Sequence, residues 1–347
     1  MNRSGKYRDL RQAAGAAVLA LVSLSTVHGH ARAERAAPGA SAALKLNIPY
    51  QATTIGQLPL WMAVDGKLFQ RYGIDASAEY AGESPALVAS LLAGETPFAN
   101  LGQQAVVSAD LNGGDIAILV SGPEKLFFGL YGKQGLHRVA DLKDGKVGIS
   151  RFGTTTDFIA RHVLTEAGLD LKTEVTILPV GSQVQLLAAM QKGVIDGAVL
   201  GPPIMIKADG LGYPKLADLL DDNLLFYTDA LVGKRSWIAA HHDATLDVVR
   251  GFVAGIAAVR MHKRTAVATL SKYTKIKEPD LLDGAYDLLV RALPQIPAPK
   301  PAAIATSLRS ASNPTAKKAD PTSFIDASFV NELARDGFIA RLYKSQE

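Results

Sequence analysis

The segment GTTTDF at 153–158 is the most specific polar feature of this 347-residue sequence. It follows a predicted strand and opens a predicted helix, so three threonine hydroxyls and free backbone N–H groups would meet at a helix N-terminus. Such a place attracts an anion or another hydrogen-bond acceptor. Ordinary helix capping is the alternative, because Thr154 and Asp157 have the spacing of a capping box. We predict that Thr154, Thr155 and Thr156 contact a ligand.

Arginine and glutamine side chains offer further ligand contacts near such loops. Arg151 precedes the threonines, and a guanidinium can hold a carboxylate or sulfonate by two parallel hydrogen bonds. A solvated surface position is the alternative for this arginine. Gln57, Gln103 and Gln183 fall in corresponding strand-to-helix loops, with Gln104 beside the second. Neutral amides there suit a ligand that is held by hydrogen bonds rather than transformed.

The sequence is poor in the features of an enzyme. It has no Cys, which excludes Cys nucleophiles, thiolate zinc sites and iron–sulfur ligation. His241-His242 is a pair without a third ligand at metal spacing, and the sequence has no nucleophile-elbow, zinc-protease, P-loop or dinucleotide motif. We expect Glu83 to reach a ligand and Asp196, inside a predicted strand, to cap or pack. The prediction is a binding protein with no catalytic residue, no cofactor and no metal.

The N-terminus has the three-part pattern of a secretory signal peptide. Four basic residues lie within 1–12, an apolar run follows at 13–27, and Ala31-Arg32-Ala33 gives an A-x-A cleavage site. The apolar run is too short to span a membrane, and a buried N-terminal helix is the alternative. We therefore predict a signal peptide over 1–33, a flexible leader over 34–43 and a periplasmic protein without membrane insertion.

The charge of the chain argues against nucleic acid and membrane partners. Cleavage after Ala33 would remove five of the 37 basic and one of the 33 acidic residues, which leaves 32 of each. A neutral chain has no electrostatic footprint for nucleic acid or for an anionic membrane surface. We therefore expect a small molecule, rather than either of these, as the ligand.

Short strands and helices alternate twice along the chain. The first series has strands at 44–50, 74–80, 96–101 and 115–120, with helices that end around 65–69, that run from Pro85 (after Ser84 as N-cap) to just before Gly94, and that span 103–111. The second has strands at 146–150, 174–180 and 195–200, with helices that begin after Gly153 and at 183. This alternation predicts an α/β fold with mainly parallel strands.

Helices dominate after about residue 236. Apolar residues from Leu246 to Val259 predict one face of a long helix that runs to about Leu270, and 280–293 predicts another. The stretch 294–323, rich in Pro, Ala, Lys and Ser, predicts a loop with short turns, and 325–343 predicts a helical tail.

Two segments of the chain, 84–107 and 182–206, resemble each other. Gly94 and Gly193 each end a predicted helix, and eight residues later Leu101-Gly102 and Leu200-Gly201 each end a predicted strand. Ligands of open α/β sheets bind beyond the carboxyl ends of strands, and pockets favour the space between domains. The repeat therefore predicts two related lobes that face a shared cleft.

Several motifs spread along the chain carry a family resemblance. PLWMA at 59–63, GKLF at 66–69 and YGI at 72–74 match an opening signature of the form PLYxA…GLF…GL, and LLAGE at 91–95, ADLKDGKVGIS at 140–150, KGVID at 192–196 and FIDASFVNELARDGFI at 324–339 fit as well. Over nearly all of 44–343 the chain resembles the nitrate/sulfonate/taurine family of periplasmic substrate-binding proteins of ABC importers, the SsuA-like and NMT1-like group.

The resemblance implies a type II periplasmic binding protein fold, with two α/β lobes, two crossover strands near 126–133 and 227–240, and a ligand cleft. Lobe 1 would comprise 44–127 and 237–347, and lobe 2 would comprise 128–236. The ligand loops of the family correspond to 54–57, 82–84, 102–103, 151–156, 181–183 and 201–202. The predicted ligand-binding residues are Thr54, Gln57, Glu83, Gly102, Gln103, Arg151, Thr154, Thr155, Thr156, Gln183, Gly201 and Pro202.

The resemblance also implies a function, which is capture of a small solute by lobe closure and its delivery to a membrane permease, with a monomer as the expected state. Relatives often carry Trp-Asp-Pro where this chain has Gly201-Pro202-Pro203. An acid there would suit a ligand amine, so we predict a sulfonate- or carboxylate-like organic anion without an amine.

Two other functions are compatible with the same fold. One is an enzyme like the thiamine-pyrimidine synthases, against which the zero Cys count and the export signal argue. The other is a ligand-binding partner of a membrane sensor, which the sequence does not separate from a transport protein.

Overall fold

Strands and helices alternate in the first part of the chain as predicted. The computed structural model describes residues 43–82, 84–220, 224–311 and 313–344. The predicted signal peptide, nearly all of the predicted leader, and Glu83 lie outside the described residues. The first strands are β1 (Leu44–Asn47), β2 (Ile74–Ser77), β3 (Phe98–Leu101) and β4 (Ile116–Ser121), and the first helices are α1 (Leu58–Asp65), α2 (Ser84–Ala93) and α3 (Gln103–Asp110).

A second series fills the middle of the chain. Its strands are β5 (Gly129–Gly132), β6 (Gly145–Ile149), β7 (Val175–Pro179), β8 (Gly197–Leu200) and β9 (Lys215–Asp218), followed later by β10 (Ala230–Lys234). Its helices are α4 (Thr155–Glu166), α5 (Gln183–Gln191) and α6 (Ile204–Gly210).

The two series build sheets of the same strand order. In the second sheet the order is β7-β6-β8-β5-β9, with β5 antiparallel to both neighbours. In the first, β1 pairs with β2 in parallel and β10 lies antiparallel between β3 and β4. Parallel bridges from Tyr50 to Tyr80 and to Asn100 join these pieces into the order β2-β1-β3-β10-β4.

The antiparallel strands are a correction to the expected, mainly parallel pairing. Strand β5 follows β4 along the chain but belongs to the second sheet, and β10 follows β9 but belongs to the first. Each crosses into the other sheet and pairs there in antiparallel orientation, β5 with β8 and β10 with β3. They lie where the sequence predicts crossovers, at 126–133 and 227–240.

The repeat that the sequence indicates is present in the structure. Gly94 follows α2 and Gly193 lies two residues beyond α5, and both have positive φ (78° and 67°), a conformation that glycine adopts without a Cβ clash. Strands β3 and β8 end at Leu101 and Leu200. The two helix–strand units therefore have matching boundaries.

The C-terminal region differs from the prediction in three places. Its helices are α7 (Arg235–Ala240), α8 (His242–Met261), α9 (Lys263–Thr274), α10 (Pro279–Ala292), α11 (Pro301–Ser310), α12 (Ser328–Arg335) and α13 (Phe338–Lys344). The long helix breaks at His262, whose φ of −129° and ψ of 63° are not helical, and the tail breaks at Gly337, whose φ is 75°. Helix α11 lies in the predicted loop, because Pro301 opens a turn and Ile304 and Leu308 bury one face.

Packing around α8 supports the first sheet. A Cβ on Gly251 would overlap the Phe69 ring, and one on Gly255 would overlap the Pro59 carbonyl of α1, so two glycines let these elements approach closely. Trp61 of α1 is fully buried and stacks on Tyr273 of α9 at 4.5 Å between ring centroids. Among the described residues, no helix is both long and apolar enough to cross a membrane.

Candidate ligand-binding cleft

A cavity of about 220 Å³ lies where loops from both sheets meet. That volume exceeds the roughly 150 Å³ of an engineered protein cavity that binds benzene, so it suits a small molecule. Its walls come from loops that follow strands of each sheet and from the two crossover segments. The lining residues are Gln51, Ala52, Thr53, Thr54, Tyr80, Ser84, Phe128, Ser150, Thr154, Thr155, Thr156, Ser182, Gln183, Val184, Pro202, Pro203, Ile204, Thr228, Asp229, Thr274 and Ile276.

Hydroxyl groups cluster at the N-terminus of α4. The Ser150 hydroxyl lies 3.1 Å from that of Thr154 and 2.9 Å from that of Thr156. Thr156 also accepts the backbone N–H of Ser150 at 2.9 Å, and Thr154 donates to the Arg151 carbonyl at 2.7 Å. These bonds fix the loop between β6 and α4.

The capping box that Thr154 and Asp157 could form is not made. Thr154 occupies the N-cap position without a side-chain capping bond. Asp157 instead accepts the Gly153 N–H at 2.9 Å and pairs with Arg161 at 2.7 Å. No threonine side chain therefore caps the first turn of α4, which stays a donor-rich end of a twelve-residue helix.

Thr155 presents a hydroxyl that the described protein does not satisfy. The residue is 8% exposed and lines the cavity, and its Oγ1 has no hydrogen-bond partner among the described residues. A buried polar group without a partner costs about 1–3 kcal/mol. A hydrogen-bonding group of a ligand would remove that cost.

The opposite wall is organised by the buried amide of Gln51. Its Oε1 accepts the Gly102 N–H at 3.1 Å and the Ser84 hydroxyl, and its Nε2 donates to the Thr228 carbonyl and to Asp229 Oδ1, both at 3.0 Å. One side chain thus ties the loop after β1 to α2, to the end of β3 and to the second crossover.

Asp229 is the only charged residue among the described lining residues. It is 3% exposed, and Gln57 Nε2 donates to the same Oδ1 as Gln51 does. Burial raises the pKa of the carboxyl to about 6, against the smaller lowering effect of Gln51 and Thr228. The cause is desolvation, since no ionised group among the described residues contributes to this pKa.

The two walls approach each other at Gly102. A Cβ there would lie 2.9 Å from Thr155 Oγ1 and 2.9 Å from the Thr228 carbonyl. Any larger residue would push these groups apart, because a Cβ does not tolerate such distances. The absence of a side chain at this position lets Thr155 lie close to the segment that carries Asp229.

Six of the predicted ligand-binding residues line the cavity: Thr54, Thr154, Thr155, Thr156, Gln183 and Pro202. Three lie directly behind the lining. Gln57 donates to Asp229, Gly102 donates to Gln51, and Gly201 donates to Gln183 Oε1 at 2.8 Å. Glu83 is outside the described residues. Contact of any of these residues with a ligand stays a prediction.

Two predicted ligand residues lie away from the cavity. Arg151 is exposed and is not among the lining residues. Gln103 is buried, and its amide joins α3 to α11 through the Ala303 carbonyl and the Ser307 hydroxyl, both at 2.8 Å. Its Oε1 accepts the Tyr227 N–H at 2.9 Å, which gives Gln103 a structural role.

The sequence interpretation missed Gln51, Ser150 and Asp229 as site residues. Gln51 directly follows a predicted strand and Ser150 is the last residue of another, which was an available signal. Asp229 had none, because it lies in a segment that is remote in sequence from its partners and only the crossover brings it to the loop after β1.

Comparisons with known proteins agree with this fold. A protein of Bordetella bronchiseptica RB50 has a TM-score of 0.75 and 18% identity, with 86% of this chain and 98% of that chain covered. The alkanesulfonate-binding protein SsuA of Xanthomonas axonopodis pv. citri, solved with MOPS, has a TM-score of 0.65, 17% identity, and 83% and 98% coverage. The nitrate-binding protein NrtA of Synechocystis PCC 6803 has a TM-score of 0.68, 13% identity, and 87% and 91% coverage.

The fold is also used by enzymes, because the desulfinase DszB with biphenyl-2-sulfinic acid matches with a TM-score of 0.61 and 13% identity. A search of curated proteins finds no match. The likeness in structure shows the predicted type II periplasmic binding protein fold, with two α/β lobes, two crossover strands and a cleft. The sequence matches the model of one family over residues 41–271, and the chain belongs to this NMT1-like family of the nitrate/sulfonate/taurine type.

Proposed function

We propose that the protein is the extracytoplasmic solute-binding component of an ABC importer and captures a small organic anion, sulfonate- or carboxylate-like, in the cleft. The relatives named above include binding proteins for alkanesulfonate and for nitrate. The ligand would bind the closed form of the protein more tightly than the open form and would thereby stabilise closure of the two lobes. The closed form would then deliver the ligand to a membrane permease.

The uncapped N-terminus of α4 is the observation that carries this proposal. Thr154, Thr155 and Thr156 line the cavity at this helix end, where the Thr155 hydroxyl has no partner among the described residues and no Thr154 side chain caps the backbone N–H groups. Oriented donors at a helix N-terminus bind carboxylate and sulfonate oxygens without a cationic side chain. Arg151 is therefore not required for an anionic headgroup.

The rest of the cavity suits an organic tail. Phe128, Pro202 and Ile276 line it, and Tyr80 and Val184 at its rim are 52% and 64% exposed. Burying such apolar surface on closure contributes about 25 cal/mol per Å². An inorganic ion would leave these contacts unused, so we favour an organic anion over nitrate.

We also propose lobe boundaries and a location. Lobe 1 would comprise 44–127 and 237–347 and lobe 2 would comprise 128–236, with export to the periplasm by the signal peptide at 1–33. We assign no catalytic step, because the donors of the cleft bind an acceptor group and no described residue is placed there as a nucleophile. A monomer is the state that suits a protein which shuttles between solution and a permease.

A calorimetric and thermal-shift comparison tests the function. Propane-1-sulfonate, butyrate, nitrate and the neutral butyramide are each titrated into the purified protein. We expect the two organic anions to raise Tm by mass action, and Thr155→Val to weaken their binding about 10- to 100-fold, since a hydrogen bond to a charged group contributes roughly 1.5–3 kcal/mol.

Thr165→Val is the matched control, because Thr165 is exposed on the same helix, and its ligand affinity should equal that of the wild type. Binding of butyramide alone, or equal affinity in the Thr155 variant, would contradict an anion held at the N-terminus of α4.

A further inference from the structure

Asp229 is a carboxyl in a cavity that we propose for an anion, and among the described lining residues there is no cation to balance it. We propose that Asp229 is the residue that determines the charge specificity of the cleft, because it must carry a proton when an anionic headgroup is bound. Capture of the anion is then coupled to the uptake of one proton from solvent. This inference rests on the proposed function.

Among the described residues, the groups that hydrogen-bond to Asp229 or shift its pKa are all uncharged. The loop after β1 contributes the amides of Gln51 and Gln57, and the crossover contributes Thr228. The acid of α4, Asp157, is paired with Arg161. Neutral amide donors orient the carboxyl but do not supply a positive charge.

The carboxyl is also fixed in position. A Cβ on Gly56 would overlap the Asp229 carboxyl group, and a Cβ on Gly122 would overlap its backbone carbonyl. Two glycines therefore make the space that Asp229 occupies, where the residue is 3% exposed. Ionisation of the carboxyl in this position carries the cost of desolvation.

Asp229 and Thr155 line the same cavity. Gln51 Nε2 bridges Asp229 and the Thr228 carbonyl, and a Cβ on Gly102 would lie 2.9 Å from both that carbonyl and the Thr155 hydroxyl. An ionised Asp229 and an anion in the same partly buried cavity would repel each other.

Protonation removes this repulsion. Oδ1 keeps the N–H bonds from Gln51 and Gln57, so the proton would go to Oδ2, which packs beside Gly56. The side chain then lies beside the anion as a neutral group. Burial already raises the pKa of Asp229 to about 6, so the proton is available at mildly acidic pH. The balance is one anion and one proton taken up, with no bond made or broken elsewhere.

Calorimetry with propane-1-sulfonate tests the inference, because this probe stays fully ionised across the range used and any pH dependence then belongs to the protein. We expect Kd to be at least about tenfold weaker at pH 8 than at pH 5. Titrations at pH 7 in two buffers of different ionisation enthalpy should show uptake of close to one proton per anion. In Asp229→Asn the affinity should not depend on pH, and in the exposed control Asp243→Asn it should follow the wild type.

The outcomes separate this inference from the proposed function. Binding of the sulfonate with equal affinity at both pH values, or without proton uptake, would overturn the inference and leave the function standing. Binding by Asp229→Asn at pH 8, where the wild type does not bind, would support the inference. If neither protein binds propane-1-sulfonate or butyrate at any pH, both the ligand class and the inference are wrong. The titrations in two buffers use the wild type only, so they test proton uptake even if Asp229→Asn does not fold.

Discussion

The loops at Gly102 and Gly201 hold equivalent places in two sheets of the same strand order, yet their surroundings differ. Each glycine N–H donates to a glutamine, Gln51 at 3.1 Å and Gln183 at 2.8 Å. A Cβ on the first would meet Thr155 and the Thr228 carbonyl, and one on the second would meet the Phe128 ring. The repeated unit preserves the glycine and its amide partner, while the groups that face the cavity are specific to each wall.

The two walls also differ in how their polar groups are linked. At Gln51 one amide makes four hydrogen bonds and an acid accepts two, while Gln57 Oε1 and the Thr228 hydroxyl beside them have no partner among the described residues. The wall at α4 ends in the Thr155 hydroxyl, which also has no partner among the described residues. The first wall is therefore the more cross-linked of the two.

Replacing Gln51, which makes four hydrogen bonds, should have the largest effect on the stability of the protein. Gln51→Leu would leave the Gly102 N–H and the Ser84 hydroxyl unsatisfied and would take one donor from Asp229. Each orphaned group costs about 1–3 kcal/mol, so we expect a loss of more than about 2 kcal/mol in the free energy of unfolding, measured with urea.

Gln134→Leu is the control for this change, since Gln134 is exposed and makes one bond, to the Gly212 carbonyl at 2.7 Å. It should cost less than about 1 kcal/mol. Equal losses in the two variants would show that the network around Gln51 is not a source of stability.

The acid of the same wall should make stability depend on pH. The folded-state pKa of Asp229 is raised above its unfolded value of 3.8 to about 6. The stability that the protonated carboxyl contributes is therefore fully present below pH 3.8 and is lost as pH rises through about 6. We expect the wild type to lose about 2.5 kcal/mol relative to Asp229→Asn between pH 4 and pH 8. Urea unfolding of both proteins across that range measures the difference. Parallel curves would mean that Asp229 titrates normally.

The smallest changes in stability should come from two neighbouring threonines of the other wall, Thr155 and Thr156. Thr156→Val removes the acceptor of the Ser150 N–H and should cost about 1–2 kcal/mol. Thr155→Val removes a hydroxyl without a partner and should leave the stability unchanged to within about 0.5 kcal/mol. Equal destabilisation by both variants would show that the Thr155 hydroxyl is hydrogen-bonded in the protein. The two threonines would then not differ in their hydrogen bonding.

The sequence predicts features that depend on neighbouring residues, and it does not predict contacts between residues far apart in the chain. Strand and helix periodicity, positive-φ glycines and the threonine segment are local signals, so the α/β series, the repeat and the donors of α4 were predictable. The Gln51–Asp229 bond joins residues 178 positions apart, and no local pattern indicates it. Arg151 is exposed and is not among the lining residues of the cavity although it lies near Thr154 in sequence, so its contact with a ligand stays a prediction.

Helix α11 shows a further limit. A composition rich in Pro and Ala at 294–323 suggests a loop, but Pro301 starts a helix whose buried Ile304 and Leu308 pack on other elements. Tertiary burial, rather than local propensity, decides this segment.

The exchange of β5 and β10 between the sheets gives the two halves of the molecule different folding histories. All five strands of the second sheet lie within 129–218, so that sheet can form from one continuous piece of chain. The first sheet lacks its fourth strand until the chain has reached 230–234, and until then β3 and β4 each have an open edge. The wall that holds Asp229 therefore depends on a pairing between segments more than 100 residues apart, whereas the second sheet needs only one continuous stretch of chain.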